Sequence, residues 1–373
     1  MNQKLLHTPE GVRDIYGDEC ARKLAVEDKL HRKLVSFGYE DIQTPTFEYF
    51  DVFSNEIGTT TSRELYKFFD KEGDTLVLRP DFTPSIARCA AKYFMEENVP
   101  IRFCYAGNTF TNTSHLQGKL KEVTQLGAEL IGDASVYADA EMIHLVIEAL
   151  LGSGLENFQI SIGQVEYFKG LCEEAGIDAD TELSLREYIS AKNYFAAEDL
   201  LLSAGVAEQT RKLLLTTTDM FGSPDALKEA KALVKNERSR QAIERLEQLY
   251  QVLTLYGSEK YISFDLGMLS KYRYYTGIIF KAYTYGIGDA IVKGGRYDGL
   301  LPHFGKEAPA IGFAVVVDDL LEALSRQQVK IDLPDAPRCL TYTTESFPQI
   351  LKEAQELRAQ GVSVRLCREK GEA

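Results

Sequence analysis

The stretch YYTGIIFKAYTYGIGDAIVKGGRYDGL, residues 274–300, decides how this 373-residue chain is interpreted. It divides into two strand-like runs, YYTGIIFKAYTYG and DAIVKGGRYDGL, each with polar groups among apolar residues. Tyrosines in such runs more often pack in a core than line a pocket, and a GGRYDGL segment is often a turn with a ring packed on it. This stretch alone therefore does not indicate a ligand-binding site, and the prediction depends on other stretches of the same kind.

The stretch LRPDFT, residues 78–83, is a first companion. Asp81 and Thr83 alternate with Phe82, so an extended segment places both side chains on one face. The helix-like run TPSIARC follows directly, and Asp81 is an equally good candidate for the N-cap of that helix. Capping does not exclude contact between Asp81 and a ligand.

The stretch TQLGAEL, residues 124–130, is a second companion. In a strand, Gln125, Gly127 and Glu129 line one face while apolar residues line the other. A carboxylate on an apolar strand needs a partner or water, and an internal partner such as Arg79 explains Glu129 as well as a ligand does. Together, two carboxylates, an amide, a hydroxyl and several phenols suit a small cationic ligand, such as an amino acid or an imidazole.

Composition and spacing exclude several classes of function. A net charge of −14 and a pI of about 5.0 disfavour broad binding to RNA or DNA. The sequence has no run of about 18 apolar residues and its N-terminus has no apolar signal-peptide core, so we predict no membrane span and a cytoplasmic location. The six cysteines form no CxxC pair and the five histidines show no ligand spacing, so we predict free thiols and no metal site. Neither a dinucleotide-binding nor a P-loop glycine motif occurs.

The order of segments predicts an α+β protein. ELYKFFD and DTLVLRP flank KEG as in a hairpin, and RFCYAGNTF and KLKEVTQLGAELIG form a second strand pair. The run DECARKLAVEDKLHRKLVSFGYE is helix-like, with Val26, Leu30, Leu34 and Phe37 on one face. Such antiparallel pairs, with helices grouped apart, predict one α+β domain over residues 1–325. Within it, helix-like segments run from about residue 164 to 256 with almost no strand signal, which indicates a helical insertion. Residues 326–373 are predicted to be a linker followed by a partial α/β unit, which is too small to fold alone.

Several stretches together resemble histidyl-tRNA synthetase, a class II aminoacyl-tRNA synthetase. They run from TPEGVRDIYG through GYEDIQTPTFE, YKFFDKEGDTLVLRPDFT, GAELIGD, YYTGIIF and KGGRYDGL to PAIGFA, and span most of residues 8–320. The pair YYTG and GGRYDGL is close to diagnostic of the histidine branch. The resemblance implies an antiparallel sheet flanked by helices, and a dimer. The tail resembles only the opening of an anticodon-binding domain.

The same resemblance implies a histidine pocket. Asp81 stands where the family usually has Glu, and with Thr83 it would bind the amino group of the ligand. Gln125 and Glu129 would read the substrate, with Glu129 near the imidazole. The implied histidine-binding residues, with the two glycines at the floor, are Asp81, Thr83, Gln125, Glu129, Tyr274, Tyr275, Gly294 and Gly295.

The chain departs from the synthetase pattern where the nucleotide would bind. These lost synthetase positions are Thr111, Thr113, Val123, Ser270 and Asp319. Thr111, Ser270 and Asp319 replace arginines, whereas amino-acid activation concentrates negative charge in the site. Removing one charged partner costs about 2–4 kcal/mol in such sites. Three absent arginines would abolish adenylation, so we assign no catalytic residue.

The chain is thus similar to catalytically silent relatives of the synthetases, the regulatory subunits of ATP phosphoribosyltransferase in histidine biosynthesis. This likeness implies a short-form catalytic subunit and a second copy of the chain as partners, with free histidine as the effector. It implies no cofactor, tRNA or membrane partner. The catalytic partner would carry the enzyme activity, and allosteric regulation by histidine would pass through this chain. The alternatives are an active histidyl-tRNA synthetase and a synthetase-like amino-acid ligase, and both need the missing arginines.

Overall fold

The chain divides into two units, Met1–Lys330 and Ile331–Ala373. The computed structural model describes residues 6–53, 60–97, 99–113, 120–216, 220–269 and 274–369. None of the described helices is long and apolar enough to cross a membrane.

The described residues contain strands in both units, most of them short. They are β1 (Glu40–Asp41), β2 (Phe47–Tyr49), β3 (Lys67–Phe69), β4 (Thr75–Leu78), β5 (Ile101–Phe110), β6 (Glu122–Ile131), β7 (Phe158–Gln164), β8 (Phe221–Gly222), β9 (Ile262–Asp265), β10 (Ile278–Thr284), β11 (Val292–Arg296), β12 (Ala310–Val316), β13 (Arg338–Tyr342) and β14 (Val364–Arg368).

A mixed sheet of nine strands, in the order β1-β5-β6-β12-β11-β10-β7-β9-β8, forms the centre of the first unit. The neighbours from β5 to β7 pair antiparallel, whereas β1 joins β5 and β9 joins β7 in parallel. The predicted α+β class is confirmed, and the sheet is antiparallel in its centre. Because β6 is hydrogen bonded on both edges, its alternation of side chains between the two faces is fixed.

Both strand pairs that the sequence predicts are present. β3 and β4 pair antiparallel across the KEG turn, and β4 also pairs with β2 to give a small three-stranded sheet. β5 and β6 form the second pair, with Ile101 opposite Ile131 and Phe110 opposite Glu122. The connection between them includes residues 114–119, which lie outside the described residues.

Helices flank the strands and fill most of the stretch between β7 and β9. They are α1 (Gly17–Ser36), α2 (Thr83–Tyr93), α3 (Val136–Ser153), α4 (Val165–Glu174), α5 (Ala179–Ser190), α6 (Tyr194–Ser203), α7 (Glu208–Thr216), α8 (Asp225–Leu233), α9 (Glu237–Leu255), α10 (Val317–Arg326) and α11 (Phe347–Ala359). α1 buries Val26, Leu30 and Leu34 on one face, at the spacing that the sequence predicts. α9 packs against both α3 and α4, so it connects the helical stretch to the sheet.

The second unit is a strand, a helix and a strand. β13 and β14 pair in parallel, and α11 connects them. Cys339 on β13 and Cys367 on β14 form a disulfide. The prediction of free thiols is wrong for this pair, because parallel pairing brings together two cysteines that lie 28 residues apart in sequence. The thiols that are free in the structure are Cys20, Cys89, Cys104 and Cys172.

Candidate functional site

Glu129 is a carboxylate near the middle of the sheet, on β6, and only 1% of its surface is exposed. The hydroxyl of Thr83, at the start of α2, donates a hydrogen bond to Glu129 Oε1 at 2.7 Å. The hydroxyl of Tyr297 donates one to Oε2 at 2.5 Å. No basic side chain among the described residues contributes to the charge balance of this carboxylate. Among the described residues, Glu129 therefore has two neutral hydrogen-bond partners and no cation that compensates its charge when it is ionised.

This environment changes how Glu129 titrates. Burial raises the pKa of Glu129 to about 8. The Tyr297 and Thr83 hydroxyls oppose that rise because they stabilise the ionised form, while the nearby Asp81 carboxylate adds to it. At neutral pH most Glu129 side chains are therefore protonated. A ligand that brings positive charge or a strong N–H donor would favour the ionised form instead.

Glycines make the room that Glu129 occupies. Gly312 lies directly opposite Glu129 on β12, and a Cβ atom there would stand 1.6 Å from Glu129 Oε2. Gly295 is next along the same row, on β11, where a Cβ atom would stand 2.6 Å from the Tyr275 ring. Two neighbouring strands thus lack side chains where the carboxylate and the ring lie over the sheet.

Gly294 faces away from this row. Successive residues of a strand point to opposite faces, and a Cβ atom on Gly294 would meet the Phe280 ring at 2.4 Å. Of the two glycines expected at the floor, Gly295 lies on the Glu129 face, whereas the side-chain position of Gly294 lies on the other.

Three tyrosine rings form a connected group beside Glu129. The rings of Tyr274 and Tyr275 lie 4.7 Å apart, and those of Tyr274 and Tyr297 lie 6.1 Å apart in an edge-on arrangement. Tyr297 in turn donates its hydrogen bond to Glu129. The structure therefore brings the YYTG stretch into contact with Glu129 through the tyrosine of GGRYDGL.

The stretch LRPDFT ends in a helix start. Phe82 has helical backbone angles and is the N-cap residue, and Thr83 is the first residue of α2. The Asp81 carboxylate accepts the Thr83 N–H at 3.3 Å. The predictions of an extended segment and of Asp81 as the N-cap residue are therefore wrong. The helix start nevertheless brings the Thr83 hydroxyl to Glu129 and keeps the Asp81 charge close by.

Arg79 is not the partner of Glu129. Its guanidinium donates hydrogen bonds to the carbonyl oxygens of Thr44 and Asn108, both at 2.9 Å, and lies 3.9 Å from the centre of the Phe82 ring. Arg79 thus fixes the backbone around the start of α2. In the part of the chain that the structure describes, the internal partners of Glu129 are hydroxyl groups, and these leave its charge uncompensated.

Gln125 lies on the same strand as Glu129, and its side chain points to the same face. The side chain is half-buried, and its Oε1 atom is buried without a hydrogen-bond donor among the described residues. Opposite Gln125, β5 carries Gly107, and the Arg79 guanidinium and the Phe82 ring occupy the position that a side chain on Gly107 would take. A buried amide oxygen ordinarily has a protein, water or ligand partner. Gln125 therefore offers an acceptor for a donor group on a ligand.

The lost synthetase positions carry no positive charge where the structure describes them. Thr111 and Thr113 follow β5, Val123 lies on β6, and Asp319 is in the first turn of α10. Burial raises the pKa of Asp319, and nearby acidic side chains contribute to the rise. Ser270 lies outside the described residues.

Sequence reasoning missed two residues that shape the surroundings of Glu129. Tyr297 and Gly312 lie in GGRYDGL and PAIGFA, two stretches that carry the resemblance, but no local signal gives either a role. Tyr297 reaches a carboxylate 168 positions away in sequence. Strand register is the information that would have found Gly312, because that glycine matters only as the partner of Glu129.

The residue before Tyr297 belongs to a buried ion-pair cluster. Arg296 lies 2.5 Å from an oxygen of Asp139, which is at the start of α3 and fully buried. Arg245 of α9 binds the other oxygen of Asp139, also at 2.5 Å. This cluster holds the end of β11, and with it Tyr297, against α3 and α9.

Comparisons with known proteins agree with this fold. The sequence model of the family described as Histidyl-tRNA synthetase matches residues 11–320. An ATP phosphoribosyltransferase regulatory subunit from Acetivibrio thermocellus is 40% identical over 359 residues, which cover 96% of this chain and 86% of that protein. A crystal structure from Bacillus halodurans, described as an ATP phosphoribosyltransferase regulatory subunit/histidyl-tRNA synthetase, superimposes with a TM-score of 0.89. It is 32% identical, and the match covers 99% of this chain and 94% of that one. The histidyl-tRNA synthetase of Nostoc shares the fold, with a TM-score of 0.80 at 22% identity over 98% of this chain and 86% of that one.

Proposed function

This chain belongs to the histidyl-tRNA synthetase family, among the ATP phosphoribosyltransferase regulatory subunits, and on that premise we propose that it binds free histidine and passes the signal to a catalytic partner. The ligand would lie on the Glu129 face of the sheet. Histidine would then inhibit the catalytic partner. This would be feedback inhibition, because histidine is the end product of the biosynthetic pathway in which the related regulatory subunits act.

The observation that carries the proposal is the buried, uncompensated carboxylate of Glu129. Histidine offers an imidazole that can donate an N–H or carry a proton, and so can supply the charge that the protein does not. Its ammonium group suits the Asp81 carboxylate and the oxygen of Thr83, whose hydroxyl hydrogen is already donated to Glu129. Gln125 Oε1 supplies one more acceptor. One small cationic molecule would thus satisfy groups on β6 and at the start of α2.

The nucleotide half of the site supports a regulatory role over a catalytic one. ATP and its transition state need fixed cations, and the described lost positions supply two hydroxyls, one aliphatic side chain and one carboxylate. We infer that the chain retains amino-acid binding without adenylation and charges no tRNA. The enzyme activity would reside in a short ATP phosphoribosyltransferase partner in the cytoplasm, with this chain acting as a dimer.

The direct test is calorimetry with free histidine on the intact chain and on Glu129→Gln. We expect wild-type binding and at least a tenfold loss in the variant, because an amide cannot compensate a bound cation. Glu148→Gln is the matched control, since Glu148 is a half-exposed carboxylate on α3 that pairs with Lys33. Equal histidine affinity in all three proteins would place the effector elsewhere.

Two activity assays separate the regulatory role from its alternatives. Mixing the chain with a short phosphoribosyltransferase should raise the activity of that enzyme, and histidine should inhibit the mixture but not with Glu129→Gln present. ATP–pyrophosphate exchange with histidine should stay at background. Robust exchange would overturn the regulatory proposal in favour of an active synthetase or ligase.

A further inference from the structure

A second group of polar side chains lies on the face of the sheet opposite to the face that carries the Glu129 side chain. His31 on α1, Asp41 on β1 and Cys104 on β5 place their donor atoms within 4.8 Å of one another. His31 Nε2 is 2.7 Å from Asp41 Oδ1, and the Cys104 sulfur is 3.6 Å from the same oxygen. Three separate elements therefore direct a nitrogen, an oxygen and a sulfur at one point.

We propose that His31, Asp41 and Cys104 form a binding site for a divalent transition metal, with Zn²⁺ as the ion that their donors suit. Imidazole, carboxylate and thiolate are the three ligand types that Zn²⁺ takes from proteins. A fourth position would be open to water, because 37% of the His31 side chain and 66% of the Asp41 side chain are exposed. Cys104 is fully buried and anchors the site from within the sheet.

Two of the three distances between ligand atoms can be compared with those of a tetrahedral site, and the third, from His31 to Cys104, is within 4.8 Å. Zinc–ligand bonds of about 2.0–2.3 Å place neighbouring ligand atoms about 3.3–3.8 Å apart. The distance from Cys104 to Asp41 already lies in that range, at 3.6 Å. The distance from His31 to Asp41 must open by about half an ångström, which replaces their hydrogen bond with two metal bonds. Both of these side chains are exposed enough to move that far, while the buried thiol can stay in place.

The strand register keeps two of the ligands together without any metal. Asp41 is paired with Cys104 across the parallel β1–β5 ladder, so their Cα positions are fixed as neighbours. Much of α1 packs against the same sheet, which holds His31 above them. The metal would tie α1 to the edge of the sheet, and the net charge of −14 favours a cation at this surface.

The alternative explanation needs no metal: Asp41 pairs with His31, and the Cys104 thiol donates hydrogen bonds to Asp41 and to the Tyr39 carbonyl oxygen. Cobalt separates the two explanations, because a Co²⁺–thiolate bond produces charge-transfer absorption that histidine and carboxylate ligands do not. The untagged, chelator-treated full chain would be titrated with Co²⁺ under anaerobic conditions, and then with Zn²⁺ in competition. We expect one equivalent with a thiolate band, displacement by Zn²⁺, and a higher melting temperature with Zn²⁺ bound.

Three variants make the test specific. Cys104→Ser should abolish the thiolate band and weaken Co²⁺ binding at least tenfold, whereas Cys89→Ser, at another free cysteine, should behave as wild type. His31→Gln, on the surface of α1, should keep the band at saturation but bind at least tenfold more weakly, and it answers the question if Cys104→Ser fails to fold. Absence of a thiolate band, or a band and affinity unchanged in Cys104→Ser or His31→Gln, would overturn the site. Histidine binding at Glu129 is measured separately, so either proposal can fail alone.

Discussion

Two buried carboxylates of the same unit differ in their partners. Asp139 is fully buried and pairs with two arginines, Arg296 and Arg245, each at 2.5 Å. Glu129 is 1% exposed and receives only hydroxyl hydrogen bonds. The first has its charge neutralised within the fold, and the second does not.

The difference separates a structural group from a candidate binding group. A buried ion pair with full hydrogen bonding fixes the packing of its elements, and Asp139 joins the sheet to α9 in this way. A buried carboxylate without a cation destabilises the fold when ionised, and such groups persist mainly where function uses them. Substitutions at these carboxylates and their neighbours can either strengthen the contrast between Asp139 and Glu129 or remove it.

The largest effect should come from Asp139→Asn. The substitution leaves Arg296 buried next to a neutral amide, and breaking a buried pair from one side costs about 3–5 kcal/mol. Urea unfolding should show that loss at pH 7, while the half-exposed Glu148→Gln changes the free energy of unfolding by less than about 0.5 kcal/mol. If Asp139→Asn lowers the free energy of unfolding by less than about 1 kcal/mol, water replaces the carboxylate as the partner of the arginines. Asp139 would then not be a structural ion-pair group, and the contrast with Glu129 would be lost.

The stability difference between the wild type and Glu129→Gln should depend on pH. The pKa of Glu129 rises on folding from an ordinary 4.5 to about 8, so the folded state favours the protonated form. Its contribution to stability is fully present below about pH 4.5 and is lost as the pH rises through about 8. Relative to Glu129→Gln, the wild type should therefore lose about 4 kcal/mol of unfolding free energy between pH 5 and pH 9. Parallel stability curves for the two proteins over this range would mean that Glu129 is charge-compensated after all.

Local patterns were enough to predict much of the fold. Turn signals and alternation located the β3–β4 and β5–β6 pairs, and 3.6-residue periodicity located α1. The parallel pairing of β1 with β5 and of β9 with β7 was not predictable, because the pattern along one strand does not show which other strand it pairs with. At LRPDFT the prediction of an extended segment was wrong. Pro84 fits the first turn of a helix, because its missing N–H would have no hydrogen-bond partner there.

The candidate site, like the fold, could be predicted from sequence only where a local pattern determines it. Alternation along β6 places Gln125 and Glu129 on one face from sequence alone. The Tyr297 hydroxyl, the space over Gly312 and the grouping of His31, Asp41 and Cys104 depend on which strands pair and in which register. Spacing of histidines and cysteines along the chain predicts no metal site, and the proposed site joins His31 and Asp41 to Cys104, which lies 63 residues beyond Asp41.

Gly312→Ala should remove the room that Glu129 occupies. The added methyl group would stand 1.6 Å from Glu129 Oε2, so the carboxylate must leave the Tyr297 hydroxyl or the strands must separate. We expect a loss of about 1–3 kcal/mol in stability and at least a tenfold loss in histidine affinity. Gly288→Ala is the control, since nothing lies within 4 Å of its added Cβ atom. Normal histidine binding by Gly312→Ala would show that the position of Glu129 over β12 is not needed.

The smallest and most specific effect should come from Tyr297→Phe, because the chain contains a matched pair of buried tyrosine–glutamate hydrogen bonds. Tyr39 donates to Glu141 at 3.0 Å, but Glu141 also pairs with Arg102, so its charge is compensated. Each Tyr→Phe change should cost about 1 kcal/mol in stability. Only Tyr297→Phe should also raise the pKa of Glu129 further, since its hydroxyl stabilises the ionised form.

Histidine titrations of these two variants from pH 6 to pH 9 would then isolate the role of charge. A bound imidazolium–carboxylate pair holds one proton, as does neutral histidine with protonated Glu129. Affinity should therefore be highest between the two pKa values, about 6.5 and about 8, and should decline above that range, where a proton must be taken up on binding. Tyr297→Phe should bind about fivefold more weakly at pH 7 and hold its affinity to higher pH, whereas Tyr39→Phe should match the wild type throughout. If both variants matched the wild type, histidine would not be sensing the Glu129 charge, and the contrast with Asp139 would concern stability alone.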